Sequence, residues 1–76
     1  MKELLTTIAK ALVDQPDNVY VNEVEGENGT VLELHVAQED MGKVIGKQGK
    51  IAKNIRSIIK AQAIKENKRV VVEILQ

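Results

Sequence analysis

Cysteine is absent from the 76-residue chain, so neither a disulfide nor a thiolate metal site can reinforce its fold. A single histidine, His35, leaves no nitrogen cluster for zinc. Phenylalanine and tryptophan are missing and Tyr20 is the one aromatic residue, which argues against modules that hold nucleic acid by stacking bases on aromatic platforms. No stretch approaches the ~18 consecutive apolar residues of a membrane-spanning helix. The most apolar N-terminal run, LLTTIAKALV, is interrupted by Lys10 and is followed by no small-residue cleavage site, so no signal peptide and no membrane insertion are expected. The carboxylates scatter, and no acid pair, metal cluster or Ser-His-acid set stands out. These absences point to a cytoplasmic binding module that is not an enzyme and needs no cofactor. Its length predicts one small domain, residues 1–76, close to the lower limit at which a core holds without staples.

The formal net charge is zero, yet the charges are segregated. Residues 1–42 carry two lysines against nine acids, a net of −7, whereas residues 43–76 carry nine bases against Glu66 and Glu73, a net of +7. A second half so basic predicts an anionic partner.

Hydrophobic periodicity gives the order of elements. Leu4, Leu5, Ile8, Ala9 and Leu12 fall on one stripe of a helix over about residues 2–13, which ends where Pro16 and its Asx neighbours break the pattern. Two β-type runs, VYVNEVE and TVLELHV, flank GENG, whose Gly26, Asn28 and Gly29 can supply the positive φ of a tight reversal; a hairpin is expected. EDMGKVI reads as a short helix opened by acids, and Lys50 to about residue 65 as an amphipathic helix with Ile51, Ile55, Ile58 and Ile59 inward and a basic opposite face. RVVVEIL is the last strand. The fold class is α+β in the order α-β-β-α-α-β: a three-stranded mixed sheet with helices packed on one face and Val31, Glu33, His35, Val71 and Glu73 on the open one.

Chemistry concentrates in GKVIGKQGK, residues 42–50. Gly46 and Gly49, spaced as GxxG between two helices, leave backbone bare where a phosphate can approach, with the next helix turning its first amides outward. Lys43, Lys47 and Lys50 add cations around the turn, and Val44 and Ile45 an apolar floor on which a base could lie. The nucleotide-hydrolase P-loop does not fit: Gly42 to Gly46 is one residue short of its spacing, and Lys47 is followed by Gln48 rather than Ser or Thr.

VIGKQGKIAKNIRSII, set between a β run and the terminal VVVEI strand, resembles the KH domain, with GKQG as its GxxG loop. The helix and strand ahead of this core make the chain similar to the bacterial type II arrangement, and its size is similar to the KhpA family of small single-domain KH proteins. The resemblance implies single-stranded RNA binding. The loop Gly46, Lys47, Gln48 and Gly49 would grip the sugar-phosphate backbone of about four nucleotides. The bases would lie in a groove between the two central helices and the last strand, lined by Val44, Ile45, Ala52 and Ile55, with Lys53 and Arg56 at its basic edge. It further implies an RNA chaperone that forms homodimers or pairs with a larger KhpB-like KH protein, in a complex linked to cell-wall synthesis and cell length. Two other readings stand beside this one: a dimerisation module with secondary nucleic-acid binding, and a helix-turn-helix-like reader of duplex DNA.

Overall fold

The strands form where apolar and polar residues alternate, and the helices where the apolar period lengthens. The computed structural model describes residues 1–75, with α1 at Lys2–Leu12, β1 at Tyr20–Gly26, β2 at Gly29–His35, α2 at Met41–Ile45, α3 at Lys50–Lys65 and β3 at Val70–Leu75. Three-residue 3-10 turns at Pro16–Asn18, Gln38–Asp40 and Lys47–Gly49 link them. The sheet order is β1-β2-β3; β1 runs antiparallel to β2, and β3 runs parallel to it after the α2–α3 crossover. The expected α+β order and mixed three-stranded sheet are therefore observed.

Leu32 and Leu34 on β2 and Val36 just after it, with Val21 and Val72 on the flanking strands, are buried with Leu5 and Ala9 of α1, Val44 of α2 and Ile55 and Ile59 of α3. A leucine or isoleucine that leaves water completely contributes about 1.5–3 kcal/mol, so this one cluster supplies most of the favourable term. The buried stripe of α3 is Ala52, Ile55, Ile59 and Ala63. Ile58 was expected among them, but the structure turns it to solvent, 48% exposed.

The hairpin turns in two residues, Glu27 and Asn28, with Gly26 opposite Gly29. Of the three residues expected to supply positive φ, Gly29 alone does so, at 125°. It also has no room for a side chain, because a Cβ there would lie 2.5 Å from the carbonyl oxygen of Arg69. That carbonyl accepts the Thr30 amide at 2.9 Å and joins the hairpin to the start of β3. α3 ends on Asn67 at φ 56°, with Lys68 N donating to Ala63 O and Asn67 N to Ile64 O, the paired bonds that close a helix on a left-handed residue.

On the open face His35 is half-buried, its ring stacked on Tyr20 at 4.2 Å and 5°. Its Nε2 is buried without a hydrogen-bond partner among the described residues.

Candidate functional site

α2 has five residues, too few to persist alone, and tertiary contacts hold both its ends. Ahead of it, Asp40 is 1% exposed, and its carboxylate accepts the backbone N–H groups of Asp14 at 3.2 Å and Gln15 at 2.9 Å. Gln15 Nε2 donates to Glu39 at 2.7 Å, and Lys43 pairs with Asp14 at 3.3 Å. The acids at this helix start were expected to favour its N-terminus by charge. Asp40 makes no side-chain cap bond to α2; it fastens the segment after α1 to the segment before α2.

After α2 the chain reverses through three positive-φ residues within four positions, Gly46 (φ 77°), Gln48 (φ 59°) and Gly49 (φ 74°), with Gly46 N bonded to Gly42 O and Gly49 N to Gly46 O. The two glycines differ. A Cβ on Gly46 would lie 2.5 Å from Cγ1 and 2.9 Å from Cβ of Ile51, so this glycine lets the turn settle on the first turn of α3. A Cβ on Gly49 would meet nothing within 4 Å among the described residues. A Cβ on Gly42 would likewise meet nothing within 4 Å among the described residues.

The structure brings Gly46, Lys47, Gln48, Gly49 and Lys50 together at one exposed corner. Lys53 and Arg56 follow along exposed α3. Lys43 is exposed but engaged with Asp14. Ile45 is exposed beside the turn, whereas Val44 is 0% exposed and belongs to the core. The expectation that Val44 contacts a base is therefore corrected: its side chain points inward at the sheet and no ligand can reach it. Ala52 and Ile55, expected in the groove, are buried on the same inward stripe.

The concavity itself lies further along α3 than the sequence suggested. A cavity of about 430 Å³ opens between the second half of α3 and β3, with Ala63, Ile64, Val70 and Val72 as its floor and Arg56, Lys60, Lys68 and Arg69 around it. β3 is an edge strand. Because the Arg69 carbonyl pairs with β2, alternation turns the backbone groups of Val70, Val72 and Ile74 outward, and the Val72 carbonyl accepts Arg56 Nε at 3.3 Å. Lys60, Ile64, Lys68 and Arg69 are thus site candidates that motif spacing did not select; the basic ENKR stretch at the head of an edge strand was the available signal. Among the described residues there is no group of three His, Cys, Asp or Glu placed to hold a metal, and no helix is long and apolar enough to cross a membrane.

A family model described as KhpA/KhpB, KH domain matches residues 2–74. The chain is 72% identical to the RNA-binding protein KhpA of Clostridium acetobutylicum over 99% of its own length and 100% of that protein. It is 68% identical to the RNA-binding protein KhpA of Clostridium perfringens with the same coverage, and 50% identical to that of Aquifex aeolicus over 100% of this chain and 96% of the relative. Among solved structures, Aquifex aeolicus Era bound to GDP and AlF4− superposes with a TM-score of 0.60 over 96% of this chain and 28% of Era; at 22% identity this is a likeness of fold alone.

Proposed function

The chain belongs to the KhpA/KhpB KH-domain family, and we propose that it binds single-stranded RNA, the Gly46–Gly49 turn taking the sugar-phosphate backbone and the α3–β3 groove taking bases. The observation that carries this reading is the exposed turn, where Gly49 leaves backbone uncovered and Lys47 and Lys50 stand beside it. Relatives of nearly equal length are RNA-binding proteins by name, which supports the same ligand. From the turn, Lys53, Arg56 and Lys60 continue along α3 toward the groove, so a strand gripped at Gly49 has cations along its path. The outward backbone groups of β3 offer donors and acceptors for base edges, in place of the stacking that a chain with one aromatic residue lacks.

Replacing Lys47 and Gln48 with aspartate tests this. Position 48 sits at φ 59°, a region Asp tolerates, so the helical circular dichroism should persist while affinity for a polyuridine oligonucleotide disappears. Unchanged affinity would refute the assignment. Binding of the unaltered chain should weaken with salt, with a log–log slope of about −0.7 for each phosphate neutralised.

The reading extends to RNA chaperoning in a homodimer or in a heterodimer with a larger KhpB-like KH protein, within post-transcriptional control of cell-wall synthesis and cell length. The family model that spans both proteins and the solvent-facing Ile58 and Ile64 of α3 support an association role. Sedimentation at micromolar concentration checks it, a strict monomer counting against the homodimer. The duplex-DNA alternative is not favoured: α2 is barely one turn, and α3 is committed to the sheet by its buried stripe.

A further inference from the structure

We propose that the open face of the sheet is a docking surface for a basic amphipathic helix of another protein. Strand register places the side chains of this face in three rows that run across the strands: Val24, Val31 and Val71; then Asn22, Glu33 and Glu73; then Tyr20, His35 and Leu75. Helices cover the opposite face only, and Val24 and Val71 are 46% and 52% exposed. The first row is therefore an apolar strip exposed at Val24 and Val71 and half-buried at Val31 between them.

The middle row carries the argument. Glu33 and Glu73 are directly paired on adjacent parallel strands, and neither forms an ion pair or a side-chain hydrogen bond among the described residues. Like charges facing each other across a ladder destabilise a sheet, so this pair opposes folding and is relieved by a cation from outside.

Geometry selects the shape of the partner. Three strands span about 10 Å at ~4.8 Å per gap, and the rows lie about 7 Å apart along the strands. A helix rises about 10 Å over two turns, so an apolar stripe at i, i+3 or i+4, and i+7 matches the valine row in length. A lysine or arginine stripe beside it then lies over the glutamates.

A second copy of this chain does not meet these requirements. Twofold pairing of the face with itself would bring four glutamates together. The apolar stripes of α1 and α3 are already buried in the core, at Leu5 and Ala9 and at Ala52, Ile55, Ile59 and Ala63. The occupant is a different chain.

Titration of the full chain with a synthetic lysine–leucine amphipathic peptide of two heptads, followed by amide chemical shifts, tests the proposal. Shifts should centre on Val24, Val31, Glu33, Val71 and Glu73, and a Glu33→Lys, Glu73→Lys variant should lose affinity by about tenfold or more. The same peptide with glutamate for lysine should not bind, and the variant should still bind RNA, at least as tightly as the parent because its charge is four units more positive. The proposal is overturned if the shifts map to the α3–β3 groove or are absent, or if charge reversal leaves affinity unchanged. It is equally overturned if dilution alone reproduces the shifts, which would identify a second copy, or if a polyuridine oligonucleotide produces them.

Discussion

The two glycines of the GxxG turn should respond very differently to alanine, and the difference can be worked from their surroundings. Gly46 has φ 77° and ψ 173°, a region essentially closed to other residues, where occupancy costs about 1–3 kcal/mol. Its added Cβ would also press on Cγ1 and Cβ of Ile51, the latter too close to the backbone to swing away, and overpacking of this kind costs about 1–3 kcal/mol more. Gly46→Ala is therefore expected to lose about 2–6 kcal/mol from a domain whose size suggests about 4–11 kcal/mol in all. Gly49, at φ 74° and ψ 14° with open space around it, faces only the left-handed penalty of about 1–2 kcal/mol. About 0.4–1 kcal/mol of that is offset because alanine stiffens the unfolded chain. Urea unfolding followed by circular dichroism separates the cases: a small midpoint shift for Gly49→Ala, a large one or no folded state for Gly46→Ala. Ile51→Ala in the Gly46→Ala background should recover part of the loss, since two of the three crowded atoms are removed. Equal destabilisation at the two glycines, or no coupling between positions 46 and 51, would refute the reasoning.

Asp40→Asn leaves one of the two backbone donors at Asp14 and Gln15 without its carboxylate acceptor, so stability should fall by about 1–3 kcal/mol and hydrogen exchange at those amides should accelerate; unchanged exchange would show that the tether is not formed. Glu66 accepts Gln62 Nε2 at 2.7 Å, and this bond, with a smaller contribution from Lys68, holds its carboxyl below the ordinary glutamate value. A depressed folded value means that the carboxylate contributes stability above the unfolded value, and that this contribution is lost as pH falls through the folded one. A carboxyl titration by NMR should show the midpoint of Glu66 rising in Gln62→Ala; no change would remove Gln62 as the cause.

The order of elements was legible because apolar period and turn residues agreed along the whole chain, and the motif was legible because GKQG interrupts two helical patterns. What escaped reading depends on distance across the fold. Val44 belongs to the same VI pair as Ile45, and only the packing of α2 on the sheet decides that the first is core and the second exposed. Ile58 lies off the buried stripe of α3 and Ala52 and Ala63 lie on it, so position around the helix decides burial where residue size suggests the opposite. Gly46 looked like an opening for a ligand and is in part an accommodation for Ile51, five residues on. Asp40 reads as one more acid at a helix start, and nothing local reveals that its oxygens serve amides more than twenty residues earlier in the chain. The groove beside β3 required knowing which strand is the edge.

The attachment of α2 at both ends has a further consequence. A five-residue helix anchored before its start through Asp40 and after its end on Ile51 would, on the proposed reading, offer RNA a turn already in one conformation. Little conformational entropy is then left for the ligand to remove, and such pre-organisation strengthens binding without adding a contact. On that reading the segment following α1, tied to Asp40 through its amides, would act on affinity by limiting what the turn can do when nothing is bound.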